Sequence, residues 1–223
     1  MLSATDQSLF LDLAYSQFCK HGENICGDAF RFEKNEGDGR IVAVLSDGLG
    51  SGVKANILAS MTASMALRFA GVPNYSIVHA AEIMMSALPI CQLRKISYAT
   101  FTILNCDPSR ALRIIEMGNP PFMLFRENQL LEIPYEELES PRWQQRRMRV
   151  YHFEAKAQDR IIFFSDGISQ AALGSPAYPL GWRKKACAEY ILDILGQSPG
   201  LSSHELSNLV LKKARGLEPQ QRN

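Results

Sequence analysis

Two apolar runs in this chain break off in the same three residues. Ile41-Val-Ala-Val-Leu45 runs into Ser46-Asp47-Gly48, and more than a hundred residues later Arg160-Ile-Ile-Phe-Phe164 runs into Ser165-Asp166-Gly167. Apolar runs this short, bounded by turn residues, read as buried strands rather than helices. Asp and Gly are poor strand formers, so each marks the point where the strand stops. An acid at a strand end is carried on rigid backbone yet opens to solvent, and Gly48, Gly50 and Gly52 let a ligand or metal come close to the main chain. Either step alone reads as a turn; the repetition is what points to a site.

A third acid belongs with these two. Asp28 follows Gly27 and leads into an apolar stretch, Ala29 to Phe32, while Leu9 to Phe18 alternates loosely, so two early antiparallel strands are expected. Glu33-Lys-Asn-Glu-Gly-Asp-Gly-Arg40 is charged and glycine-bearing, a hairpin turn that places Asp28 and Asp47 on neighbouring strands. After the glycines, Val53, Ile57, Leu58, Met61 and Met65 recur at helical spacing to about Phe69, with Pro73 beyond. Tyr75 to Leu88, before Pro89, repeats the pattern. The methionines of both helices are expected in the core.

Strands follow at Ser97 to Cys106 and Leu112 to Met117, separated by the turn Asp107-Pro-Ser109. Gly118-Asn-Pro-Pro121 interrupts this meander before a hairpin of Phe122 to Phe125 and Leu130 to Ile133 around Glu127-Asn128. Pro134 to Arg149 carries acids at Glu136, Glu137 and Glu139 and bases at Arg142, Arg146, Arg147 and Arg149, and reads as a mobile, solvated insertion. Val150 to Phe153 is a further strand. Lys184 to Leu195 and Ser203 to Ala214 are amphipathic helices, the second opened by Ser202 or Ser203 with Glu205 following.

Composition removes several classes of function. With 24 basic and 23 acidic residues the net charge is +1, which gives no pull toward nucleic acid or acidic lipid. No run of about 18 apolar residues and no basic-then-apolar leader is present, so a non-exported protein without a membrane span, working in the cytoplasm, is expected. Cys19, Cys26, Cys91, Cys106 and Cys187 are odd in number and lack a Cys-x-x-Cys pair, which reads as free core thiols rather than disulfides or zinc ligands. His21, His79, His152 and His204 have no metal-ligand spacing and read as surface or capping residues.

Asp28, Asp47 and Asp166 are oxygen donors with no histidine or cysteine at comparable positions, and such sets suit magnesium and manganese rather than zinc. Paired ions of this kind activate water for phosphate-ester hydrolysis. Glycoside hydrolysis would need one acid kept protonated by an apolar setting, and no residue in the sequence marks one. Gly48-Leu-Gly-Ser-Gly52 fails the dinucleotide fingerprint at Val53 and lacks the Gly-Lys-Ser or Gly-Lys-Thr of a phosphate loop. The helix beginning near Ser51 leaves free N–H groups where a substrate phosphate is expected to lie.

In order along the chain, Gly27-Asp28, Ser46-Asp47-Gly-Leu-Gly-Ser-Gly52 with Ala55, Tyr98-Ala-Thr-Phe101, Gly118-Asn-Pro-Pro121 and Phe164-Ser-Asp-Gly-Ile168 resemble the motifs of the metal-dependent (PPM) serine/threonine phosphatases. The similarity runs from about Phe10 to Ala172 and is greatest to the stage II sporulation protein E and sigma-factor regulatory branch. It implies an α+β fold, a four-layer α-β-β-α sandwich of two antiparallel sheets flanked by helices, in a single domain over 1–223. It implies two manganese or magnesium ions: Asp47 would bridge them, Asp28 and the carbonyl of Gly48 would hold one, and Asp166 the other. It further implies direct attack by a metal-bound water on a phosphoserine or phosphothreonine of an anti-sigma-factor antagonist, without a phospho-enzyme. The family pattern closes with one more acid, within Asp-Asp and a last strand, which this sequence does not reach by Asn223; the domain is expected to lack that strand here. The departure motivates the rival reading, a catalytically silent module that uses the same fold to grip a phosphorylated partner.

Overall fold

The computed structural model describes residues 10–20, 22–48, 50–72, 75–87, 99–143 and 147–218, apart from the side chains of Met85 and Arg142. The expectations placed on Leu9, His21, Leu49, Pro73, residues 88–98 with Cys91, residues 144–146 and the tail 219–223 lie outside the described residues. In chain order the elements are β1 Asp28–Lys34, β2 Ile41–Gly48, α1 Gly52–Ala70, α2 Ile77–Ala87, β3 Ala99–Cys106, β4 Ala111–Met117, β5 Met123–Arg126, β6 Gln129–Leu131 and β7 Tyr135–Glu139. A 3-10 turn at Pro141–Trp143 leads to β8 Arg147–Glu154, β9 Arg160–Ile162, α3 Asp166–Ser169, α4 Arg183–Gln197 and α5 Ser203–Leu217.

The strands build two antiparallel sheets, ordered β1-β2-β3-β4-β8-β7 and β6-β5-β9. Because side chains alternate between faces of a strand, each central strand feeds two cores. Val42 and Val44, Phe101 and Ile103, and Ile115 and Met117 face α1 and α2, whose Ala59, Ala63, Ala66, Ala70, Ala81 and Met84 meet them. The small side chains of α1 let that helix lie close on the sheet. Ala43, Leu104, Leu112, Ile114 and Tyr151 point the other way and meet Phe122 and Leu124 between the sheets. The small sheet turns Met123 and Phe125 outward against Cys187, Ile191 and Leu195 of α4 and Leu206 and Val210 of α5. The result is the expected sandwich, helices on sheet on sheet on helices. Large side chains such as Phe101, Phe125 and Ile114 are fully buried, and each contributes about 2–3 kcal/mol by leaving water.

Local chemistry explains the joints. Glu127 and Asn128 both adopt left-handed backbone, φ 51° and 58°, which is the two-residue turn whose twist matches the β5–β6 hairpin. Ser202 accepts from the Glu205 amide while the Glu205 carboxylate accepts from the Ser202 amide, a reciprocal cap that fixes the start of α5.

Several expectations are corrected. Residues 10–20 form no strand: they run as a strap, with Asp12 accepting from Ser203 N at 2.7 Å, Ser16 donating to Asn208 at 2.8 Å and Tyr15 stacked on Phe30 at 4.7 Å. Their alternation records half-burial, not ladder pairing. The described residues of the segment from Pro134 to Arg149 form β7, the 3-10 turn and the start of β8, with Trp143 fully buried. Its segregated charges face one another across β7 and β8, where Glu137 opposes Arg149 and Glu139 opposes Arg147, and Arg147 also reaches Glu137 at 2.6 Å. Opposite charge in cross-strand positions favours pairing, so the charge blocks that looked like a solvated loop make a hairpin. Cys19 and Cys26 form a disulfide, whereas Cys106 and Cys187 are free as expected. Sequence spacing gave no sign of that bond, because the turn that folds Cys19 back onto Cys26 carries no Cys-x-x-Cys signature.

Candidate active site

Asp28 and Asp47 are directly opposed in the β1–β2 ladder. Each lies an even number of residues from a side chain packed between the sheets, Phe30 and Ala43, so both acids face the mouth of the space between the sheets. The two carboxyl groups are close enough for Asp28 to raise the pKa of Asp47 directly. Asp166 arrives from the other sheet's connection: β9 stops at Ile162, Phe163 to Ser165 continue unpaired, and Asp166 opens the one-turn α3 instead of ending a strand. Its Oδ2 accepts from Gln170 Nε2 at 3.0 Å.

The two serines of the repeated Ser-Asp-Gly do different work. Ser46 is fully buried on the helix-facing side and donates to the carbonyl of Thr100 at 2.9 Å, pinning β2 to β3. Ser165 donates to Asp28 Oδ2 at 2.7 Å and so ties the α3 connection to β1 across the sandwich. That orienting hydroxyl was present in the sequence signal but only the fold shows which acid it serves.

Burial, followed by repulsion from Asp28 and Asp166, pushes the Asp47 carboxyl up to about 8; the positive charge of Lys20 opposes this. The other two acids picked out from the sequence therefore both act electrostatically on Asp47. Among the described residues, no three His, Cys, Asp or Glu side chains are grouped closely enough to hold an ion by themselves.

Gly48 is buried at the end of β2, where a Cβ would fall 1.9 Å from the carbonyl oxygen of Ala55. Only glycine lets α1 start this close to the strand. Gly27 lies across from it, its absent side chain leaving Ala55 Cβ at 3.3 Å and the carbonyl oxygens of Gly48 and Gly50 at 4.0 Å from the position a Cβ would take. Asn56 of α1 donates to the Cys26 carbonyl at 2.9 Å, fixing the residues just ahead of Asp28. The start of α1 is not open to a substrate phosphate as expected: the Glu23 carboxylate accepts from Ser51 at 3.0 Å and lies against Gly52. An acid of the chain itself already sits at that positive helix end.

A fourth group of polar residues lies beside the acids. Thr100 is the cross-strand partner of Asp47, and its hydroxyl donates to the carboxamide oxygen of Asn119. Glu116, fully buried, accepts from Phe122 N at 2.7 Å and Tyr151 Oη at 3.1 Å and pairs with Arg149 at 3.6 Å. Burial raises the Glu116 carboxyl and these three partners pull it back. The Gly118-Asn-Pro-Pro121 and Tyr98-Ala-Thr-Phe101 motifs signalled this corner, but Glu116 and Arg149 carried no sequence mark of their own.

A family model described as stage II sporulation protein E (SpoIIE) matches residues 37–222, well over half of the chain. No curated protein sequence matches significantly. Among solved structures, the phosphatase domain of SpoIIE from Bacillus subtilis is 17% identical, covers 90% of this chain and 83% of its own, and superposes with a TM-score of 0.62. The RsbU and RsbW domains of a Mycobacterium tuberculosis protein are 21% identical over 90% of this chain with a TM-score of 0.65, and the match takes in 54% of that longer chain. RsbX, solved in complex with magnesium, is 20% identical, covers 87% of this chain and 83% of its own, and gives a TM-score of 0.58. At these identities the structures establish the sandwich fold, and the family model establishes the lineage. The chain belongs to the stage II sporulation protein E (SpoIIE) family of PPM-type serine/threonine phosphatases.

Proposed function

We propose that this chain is a manganese- or magnesium-dependent protein phosphatase that hydrolyses a phosphoserine or phosphothreonine of a bacterial regulatory protein of the anti-sigma-factor antagonist type. The observation that carries the reading is the facing pair Asp28 and Asp47, with Asp166 close enough to add to the displacement of Asp47 to about 8. Oxygen-only carboxylates that repel one another at the mouth of a cleft fit hard divalent cations, which relieve that repulsion. Asp28, Asp47, the Gly48 carbonyl and Asp166 would be the groups that hold the ions.

When bound, such ions supply charge against the phosphoryl oxygens and bring the pKa of water toward neutrality. The chain's own residues do the positioning. Ser165 holds one oxygen of Asp28 through its hydrogen bond. Glycine at 27 and 48 keeps side chains out of the space beside the Gly48 carbonyl. Asp166, exposed at the start of α3, accepts from Gln170 and adds its charge to the repulsion felt by Asp47. The regulatory-protein substrate is proposed from the family and from the sigma-pathway names of its structural relatives. No helix among the described residues is long and apolar enough to cross a membrane. The proposed setting is the cytoplasm, where thiols are mostly kept reduced, and the Cys19–Cys26 bond is the feature that belongs to an oxidising one.

The test is turnover of a phosphoserine substrate with manganese. Asp47→Ala and Asp166→Ala each abolish it while circular dichroism stays that of the folded protein; undiminished turnover in either variant overturns the assignment. Calorimetry adds a second arm. Two bound manganese ions support the enzyme, and no bound ion together with retained affinity for a phosphorylated partner supports the silent binding module instead.

A further inference from the structure

The Gly118-Asn-Pro-Pro121 loop has no part in the acids' own chemistry, yet the fold spends several buried polar groups on holding it. Gly118 has left-handed backbone, φ 78°, and a Cβ there would fall 2.6 Å from Thr100 Cγ2, so the loop lies directly on the end of β3. It is clamped at both ends. Glu116 accepts from the amide of Phe122 at 2.7 Å, and Arg149, paired with Glu116, donates to the carbonyl of Asn119 at 3.3 Å.

Between those clamps the Asn119 side chain, 3% exposed, reaches β3: its oxygen accepts from the Thr100 hydroxyl and its nitrogen donates to Thr102 Oγ1 at 3.1 Å. Thr100 stands opposite Asp47 in the ladder, and its carbonyl accepts from Ser46 next door. A chain of contacts therefore runs from Glu116 and Arg149, through the loop, to the two threonines and on to the strand end that bears the central acid. Both hydroxyls of β3 on this face are spoken for by one carboxamide, which fixes their rotamers and the local pleat.

We propose that Asn119 is a positioning residue for the divalent-cation site: by locking Thr100 and Thr102 it fixes the Asp47 end of β2 in binding geometry. The inference rests on the metal-dependent reading above. Outer-shell partners of this kind commonly change metal affinity about tenfold or more when removed.

The experiment is manganese titration by calorimetry on the whole chain, with thermal unfolding of the ion-free protein alongside. Wild type comes first: if it binds no ion, the functional reading itself fails. Given binding, Asn119→Ala and Thr100→Val each weaken manganese affinity about tenfold, and Thr100→Ser, which keeps the hydroxyl, stays within about twofold of wild type. The double variant loses no more than Asn119→Ala alone, because Thr100→Val breaks a contact that Asn119→Ala has already removed. Should Asn119→Ala fail to fold, Thr100→Val, a shape-conserving change in a strand, decides the matter. Lowered melting temperature with unchanged manganese affinity in the folded variants overturns the proposal and leaves Asn119 a purely structural residue.

Discussion

Replacing Asp47 by asparagine is expected to stabilise the ion-free protein at alkaline pH while destroying its response to manganese. In the folded chain, burial and the charges of Asp28 and Asp166 keep the Asp47 proton in place up to about 8; unfolded, the same carboxyl ionises near its ordinary 3.8. Between those values folding takes up a proton, so this group's contribution is most favourable at the acid end and declines as pH rises, levelling off above pH 8. Moving a carboxyl from 3.8 to about 8 corresponds, at about 1.4 kcal/mol per tenfold change, to an upper limit of about 6 kcal/mol. Asp47 is half-buried, and screening by water leaves roughly 2–3 kcal/mol of that. Asparagine has nearly the same shape and no proton to lose. Urea unfolding followed by circular dichroism, with a chelator present, should therefore give nearly equal stabilities for wild type and Asp47→Asn at about pH 4.5, and a gap of roughly 2–3 kcal/mol in favour of the variant at about pH 8.5. Added manganese should close the gap by stabilising wild type alone, by about 2.7 kcal/mol at a hundredfold excess over its dissociation constant. A variant no more stable than wild type at pH 8.5, or a gap that does not grow with pH, would refute the account of Asp47 as a carboxyl displaced by its neighbours.

Two further substitutions probe the frame around the site. Gly48→Ala drives a methyl group to within 1.9 Å of the Ala55 carbonyl oxygen, and since that neighbour is backbone, a loss of about 3 kcal/mol or more is expected in thermal unfolding; a melting temperature unchanged from wild type would contradict the close approach of α1 to β2. Ser202→Ala removes the reciprocal cap of α5 and should cost about 1 kcal/mol, read as a melting temperature lower by about 3 °C with turnover intact; no shift would mean that the cap is not formed in solution.

Sequence by itself determined most of the strands and helices and singled out the candidate acids. Runs such as Ile41 to Leu45, short and bounded by turn residues, read as buried strands, the helical repeat from Val53 to Met65 marked α1, and the double Ser-Asp-Gly singled out Asp47 and Asp166 by its repetition, although Asp166 opens α3 beyond the end of β9. The hairpin at Glu33 to Arg40 even implied that Asp28 and Asp47 are neighbours, and the ladder opposes them. What only the tertiary structure decided depends on groups that are distant along the chain. Ser165 serves Asp28 across 137 residues, and Arg149 is neutralised by Glu116 and holds Asn119. The Glu137 and Glu139 block became a strand because the Arg147 and Arg149 block came to lie opposite it. Periodicity reports which residues seek burial, but a pairing energy is gained only when two separate segments meet, and for Asp47 that meeting also sets the charge the site carries.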